Sequence, residues 1–268
     1  MRYLISCFLL LFMFSCQPRE TTQDTRQPVQ EVDKNTFYTK DYYYPVESLS
    51  EEKIYEYVLE NEGQTYLSHY LSLQKELTAD GNVYLISKYY APNFQQNQQI
   101  KEWIINDGVI TQEYTFLILD SLSQALKEYP NEVSQNVVYP FYASLDSAMA
   151  YRFVCEMKLP PDFLTVKLVR DRKFSKKMSY TYKGKESPHE DGDRLEAIAF
   201  TATDLYDIEN TEGGGFWNQK KATIEVYAKG IGLVYKETKT AGVEGTEVER
   251  LSNIYSVEEF EALKRKYE

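Results

Sequence analysis

Alternation of apolar and polar residues, carried by tyrosine and β-branched side chains, recurs from residue 53 to residue 254, and it limits the fold more than any other feature. A side-chain period of two suits a pleated strand, whereas a helix needs 3.6. Lys53 to Glu60 (KIYEYVLE) sets Tyr55, Tyr57 and Leu59 on one face. In Thr65 to Leu73, Leu67, Leu71 and Leu73 share a face with His69, opposite Tyr66, Ser68 and Tyr70. Asn82 to Tyr90 reads as a third strand. Trp103 to Asn106, then Asp107-Gly108, then Val109 to Leu119 predict a hairpin whose Asp-Gly pair suits a tight type I′ turn. Strands are also expected at 151–158, 163–170, 174–182, 194–202, 222–228, 233–240 and 246–254.

Two segments leave this pattern. Leu122, Ala125, Leu126 and Tyr129 fall at i, i+3, i+4 and i+7, predicting a short amphipathic helix near 120–129 that ends before Pro130. Ser256-Val257-Glu258-Glu259 is a capping box, in which Ser and Glu satisfy the first free helix amides. It opens a terminal helix near 256–266, with Lys264, Arg265 and Lys266 at the end where a helix favours cations. The expected class is mainly β, one antiparallel domain over 37–268 with no linker dividing it.

The N-terminus reads as an address. Arg2 precedes a Leu- and Phe-rich segment, Tyr3 to Phe14, far shorter than the ~20 residues of a membrane-spanning helix. Met13-Phe14-Ser15-Cys16 resembles the lipobox of bacterial lipoproteins, which implies a signal peptide over 1–15 and acylation of Cys16. Residues 16–36 hold no aromatic and two large apolar groups, Val29 and Val32, too few to offset the cost of ordering. They are expected to be a flexible tether. Gln17 after the cysteine points to the outer membrane, and the weak acidic character of Arg19-Glu20 points to its periplasmic face.

Net charge is −11 at pH 7, and phosphate contacts need a basic surface, so a nucleic-acid partner is excluded. Two histidines rule out a multi-histidine metal site. No cofactor is expected. Tyrosine supplies 24 of 268 residues against two Trp, so much of each strand face is phenol. Either the rings pack half-buried on sheet faces, or they line a concavity for a ligand.

Glu225 to Val234 (EVYAKGIGLV) resembles the "Y-A-x-G-(I/V)-G-(L/P)-V" element of TapB-like envelope proteins, many of them lipoproteins. Tyr44-Pro45-Val46 followed by Tyr55-Glu56-Tyr57 is similar to their early "Y-x-P" and "(W/Y)-x-Y" element. The resemblance implies a single large antiparallel sheet or half-open barrel in an envelope protein, and it transfers no catalytic residues. Independently of it, Gly230 and Gly232 between two strands predict positive φ or a close backbone approach.

Cys155 alternates with Tyr151, Phe153 and Met157 and is expected to be a buried, inert thiol. The run from Arg170 to Lys185 reverses the overall charge. Arg170, Arg172, Lys173, Lys176, Lys177, Lys183 and Lys185 are candidates for contacting an anionic envelope polymer or lipid head group. The competing reading is a solvated strand edge guarded by lysines. Glu190, Asp191 and Asp193 in one acidic loop, and Asp204 and Asp207 in a second, are candidates for a calcium or paired-carboxylate site should the loops meet.

Together these features point to a non-enzymatic outer-membrane lipoprotein whose β domain binds an envelope protein or an apolar ligand, with the membrane contacted through the lipid. A lipid or acyl carrier with a half-barrel cavity, and a glycan hydrolase using loop carboxylates, are the alternatives.

Overall fold

The computed structural model describes residues 36–61, 64–119, 125–144, 150–159, 164–184, 192–210 and 212–267. The chain divides into two units, Met1–Asp33 and Lys34–Glu268. The first, with Cys16, lies outside the described residues, as do Lys185, Glu190 and Asp191.

Alternation produces strands in the expected places. They are β1 (Thr36–Tyr38), β2 (Lys53–Asn61), β3 (Gln64–Leu77), β4 (Val83–Tyr90), β5 (Gln96–Ile105), β6 (Gly108–Leu119), β7 (Leu126–Val133) and β8 (Val137–Pro140). After them come β9 (Tyr142–Ser144), β10 (Tyr151–Leu159), β11 (Leu164–Tyr182), β12 (Asp193–Asn210), β13 (Phe216–Ala228), β14 (Gly232–Thr240) and β15 (Glu247–Ser256). Helix α1 (Val257–Tyr267) closes the chain.

The main sheet runs β5-β4-β3-β2-β15-β14-β13-β12-β11-β10-β7-β6, with β8 appended to β6. Because β5 also pairs with β6, the ring of 12 strands is closed. Every ladder in it is antiparallel. Closure removes the unpaired edge that an open sheet exposes. Bulges at Tyr57/Val58, Lys101/Glu102, Phe174/Lys176, Val226/Tyr227 and Leu251/Asn253 supply the local bend that a curved wall requires.

Alternation divides each strand between lumen and outer face. Tyr55, Tyr57, Leu71, Leu73, Leu85, Val109, Phe200 and Tyr227 meet in the main core inside the ring. A second apolar cluster, Phe153, Cys155, Met157, Val166 and Leu168, fills the wall formed by β10 and β11. On the outer face, Ile54 and Tyr70 are covered by Phe260 of α1, which also stacks near Tyr90 and Phe94. The capping box forms as expected: the Ser256 amide donates to Glu259 Oε2 at 2.9 Å and the Glu259 amide to Ser256 Oγ at 3.3 Å.

Three local expectations are corrected. Residues 126–129 are not helical but begin β7, with Tyr129 opposite Phe116 and Pro130 opposite Thr115; residues 120–124 lie outside the described residues. The apolar spacing there also satisfies period two, and pairing with β6 decides the outcome. β7 meets β10 at only Glu132 and Val133, so it tolerates a residue without an amide hydrogen. Residues 204–209 are not a loop but the far half of β12, paired on both sides. Gly108 belongs to β6 rather than to the turn centre. A Cβ on Gly108 would lie 2.4 Å from the Tyr139 carbonyl oxygen, so glycine is needed there for the approach of β8.

The segment before β2 closes one end of the ring. β1 pairs with β9, so Thr36, expected to end the tether, is already in a strand. The Thr39 amide bonds the Phe141 carbonyl at 2.8 Å, the Gly230 amide bonds the Asp41 carbonyl at 2.8 Å, and Tyr43, Val46 and Leu49 are buried. Residues 39–49 are thus a plug held to the β8–β9 and β13–β14 turns.

Candidate functional site

Two cavities flank the plug, and Tyr43 and Tyr44 line both. The outer cleft, about 830 Å³, lies between the plug and the turns that join β3 to β4 and β5 to β6. Its walls include Tyr38, Val46, Trp103, Ile104 and Phe141, with Lys40, Asp41 and Lys229 also present. Tyr38 remains 43% exposed. Lys40 is paired with Glu47, and Lys229 lies 3.8 Å from Asp41 and 3.6 Å from Glu196. The cleft therefore offers apolar surface beside charges that are already compensated.

The plug's orientation follows from a glycine. Gly232 has φ +104°, and a Cβ there would sit 2.3 Å from Tyr44 Cδ1. Only glycine lets the Tyr44 ring pass so close to the backbone. Tyr55 and Tyr57 donate to the carbonyls of Ile231 and Leu233 at 3.1 and 2.7 Å, and the Tyr44 and Tyr55 rings meet edge to face at 5.7 Å. The two sequence elements at Tyr44–Tyr57 and Glu225–Val234 are therefore one packed junction.

Inside the ring lies a chamber of about 190 Å³ lined by residues from most of the strands. Charged side chains of alternating sign cross half of its wall. Arg170 is bidentate to Asp204 at 2.7 and 2.8 Å, and its Nη1 lies 3.7 Å from Glu225. Arg172 Nη2 lies 2.8 Å from Glu225 Oε2, and Nη1 donates to the Val138 carbonyl at 2.8 Å. Further round, Lys236 Nζ is 3.1 Å from Glu249, which also accepts from Ser68 at 2.6 Å and lies 3.5 Å from His69 Nδ1. Burial opposes the charge on Glu225, but the neighbouring Arg172 and Arg170 outweigh it and hold the carboxyl below its ordinary range. Burial likewise opposes Glu249, and His69, Lys236 and Ser68 reverse its effect.

Glu102, on the facing wall, is different. It accepts the Tyr43 hydroxyl at 2.6 Å, and no cation lies within ion-pair distance of it among the described residues. Burial pushes its pKa up, against the Tyr43 bond and the more distant Arg172. Arg172, 9% exposed, keeps Nε without a partner.

The basic run is thus split between lumen and solvent. Arg170 and Arg172 face the lumen in ion pairs, while Lys173, Lys176, Lys177 and Lys183 are exposed on the outside, the Lys177 ammonium 4.2 Å from the Phe37 ring centroid. β10 pairs with β11 only over Leu164–Arg172, so beyond Arg172 the strand is laddered to β12 alone and its other side is a strand edge among the described residues. Asp193 and Asp204 stand eleven residues apart on β12, about 35 Å at ~3.3 Å per residue. A glycosidase pair needs roughly 5–10 Å. Asp207 faces away from the lumen on the same strand, paired across the ladders with Lys167 and Asn218. Among the described residues no group of three metal-ligating side chains occurs. Cys155 is fully buried and burial raises its thiol pKa to about 12, so it is inert as a nucleophile at neutral pH.

Sequence reasoning missed Glu102, Glu225, Glu249 and Lys236. A signal existed for Glu225, which holds a core-facing position between Thr223 and Tyr227, both buried.

No protein-family model matches the chain, and no curated protein matches it. Two solved structures are similar to it. One is a candidate lipoprotein from Parabacteroides distasonis, with TM-score 0.45 and 12% identity, over 80% of this chain and 98% of that one. The other is a candidate exported protein with a YmcC-like fold from Bacteroides fragilis, with TM-score 0.46 and 12% identity, over 80% of this chain and 99% of that one.

Proposed function

We propose that this protein is a lipid-anchored envelope protein, tethered through Cys16, whose barrel binds an apolar ligand or the apolar segment of an envelope partner in the cleft at its plugged end. One observation carries the reading: the cleft of about 830 Å³ with Trp103, Ile104, Val46 and Phe141 in its walls. That volume falls within the ~300–1,000 Å³ of small-molecule sites, and its apolar walls stand beside Lys40, Asp41, Glu47 and Lys229. A carrier holding an acyl chain inside the barrel fits less well, because the luminal chamber is about 190 Å³ and ringed by arginine, lysine and glutamate. Burying a chain against those groups would strip them of solvent without compensation.

Anilinonaphthalene sulfonate, a probe whose emission rises on apolar surface, tests the cleft. Saturable binding is expected, with energy transfer from Trp103 that disappears in Trp103→Phe and persists in Trp217→Phe. Transfer that depends instead on Trp217, or no saturable binding, contradicts the proposal.

A further inference from the structure

The luminal chamber has two chemically different sides. The wall from β11 to β15 holds Arg170, Arg172 and Lys236 together with Asp204, Glu225 and Glu249, each carboxylate with a cation within 3.1 Å. The wall of β4, β5 and β6 presents Ser87, Tyr89, Ile100, Thr111 and Tyr114 around a single carboxylate, Glu102. Glu102 lies across from Leu85 on β4 and from Thr111 on β6, with Tyr89 and Tyr114 further along those two strands. Its Oε2 accepts the Tyr43 hydroxyl at 2.6 Å. Its Oε1 accepts no hydrogen bond among the described residues and is not sealed from solvent, so it opens on the chamber. Burial, and after it the charge of Glu102, raises the pKa of the Tyr43 and Tyr89 phenols, so both hydroxyls stand in its field. His69 is on β3, separated from β5 by β4, and its Nδ1 lies 3.5 Å from Glu249. Three cations against four carboxylates leave the chamber one negative charge in excess, and that charge belongs to Glu102.

We propose that the chamber binds one small organic cation, an ammonium of a few heavy atoms, with its N–H groups donating to Glu102 and its body against the rings of Tyr89 and Tyr114. An enclosed carboxylate without a counter-charge costs stability, and an ammonium supplies the charge and the donor together. The hydroxyls of Ser87, Thr111 and Tyr89 offer further acceptors on the same wall, and ring faces attract such a cation. A divalent metal is a poor match. Among the described residues no three metal-ligating side chains gather, and calcium takes ~6–8 oxygen ligands. A space of about 190 Å³, at ~30 Å³ per water, admits methylammonium or ethanolamine and excludes an acyl chain. The proposal stands on the unpartnered carboxylate and does not rest on what the outer cleft binds.

The test uses the full chain in an amine-free sodium phosphate buffer at neutral pH, with methylammonium, ethylammonium and ethanolamine as probes and potassium chloride and ethylene glycol as controls. Titration calorimetry and thermal unfolding are the readouts. At least one amine should bind saturably with one site per chain and raise the melting temperature more than potassium does at equal ionic strength. Glu102→Gln keeps an acceptor for Tyr43 and should fold normally. It should bind that amine about tenfold or more weakly, the loss expected for a charge-assisted bond. Three results overturn the proposal: no amine binds, potassium stabilises as much as the best amine, or Glu102→Gln binds as wild type does. In the first case the chamber is a water-filled polar space, and in the second it holds an inorganic ion. Anilinonaphthalene sulfonate, which reports on the cleft, should be unaffected by the amine. An amine that displaces the dye sits in the cleft and likewise overturns the proposal.

Discussion

At the residue scale the decisive feature is how the barrel treats buried charge. Glu225 is bonded by Arg172 at 2.8 Å, and removing it would leave that buried guanidinium without a carboxylate, whereas Arg170 keeps Asp204. Glu225→Gln is expected to cost about 3–5 kcal/mol in urea unfolding, the range for breaking a buried ion pair by removing one partner. Its pH dependence has a definite sign. The folded carboxyl titrates below the unfolded one, so its stabilisation is present above the unfolded pKa and is lost as pH falls through the lower folded value. Glu102 runs the other way. Its folded pKa is raised, so its contribution is full below the unfolded pKa and is lost as pH rises through the folded value. Glu102→Gln should accordingly melt higher than wild type at neutral pH and lose that advantage in acid. Equal melting at both would contradict the isolation of this carboxylate.

At the element scale, the junction of the plug with the β13–β14 turn is the most exacting piece of geometry. Gly232→Ala places a methyl group into the Tyr44 ring at a backbone angle of +104°. A loss of roughly 1–3 kcal/mol is expected from strain at such a position, together with changed Trp103 emission as the plug shifts. Helix α1 is simpler. Ser256→Ala should cost about 1 kcal/mol through the lost N-cap, and Phe260→Ala about 3–5 kcal/mol through the cavity left on Tyr70 and Phe94. Denaturant melts distinguish the two magnitudes.

The elements also show what a sequence can reveal. Most strands were legible because period two is a local property, and the capping box because its two residues are three apart. The length of β11 was not, since the charged run Asp171-Arg172-Lys173 covers a regular part of the ladder and made one strand look like two. The extent of β12 was hidden in the same way, by acidic residues whose partners lie on other strands. The inward set could be inferred at Arg170 and Arg172, two residues apart and so on one face. Their partners Asp204 and Glu225 become neighbours only through the registers of β11, β12 and β13, which no spacing along the chain encodes.

For the whole molecule, closure was the property least visible in advance. A half-open barrel and a closed one share every local hairpin. They differ only in whether β7, at the far end of the run of ladders from β10 through β15, β2 and β6, pairs with β10 to complete the ring. Closure turns many of the tyrosine rings inward as core and leaves the plugged end as the place where a cleft of mixed apolar and charged lining opens. β1, paired with β9, lies at this same end. If Cys16 carries the lipid, Cys16→Ser should move the protein from the membrane to the soluble fraction without altering its melting temperature, because the anchor and the barrel are separate units of the chain.

The claim that the plugged end is the binding end is tested most directly by amide hydrogen exchange on the intact protein with and without anilinonaphthalene sulfonate. Added protection is expected in residues 39–49, 81–83 and 103–106, with the hairpin tip around Phe216 unchanged. Protection concentrated at that opposite tip, or none at the plug under saturating probe, would contradict it.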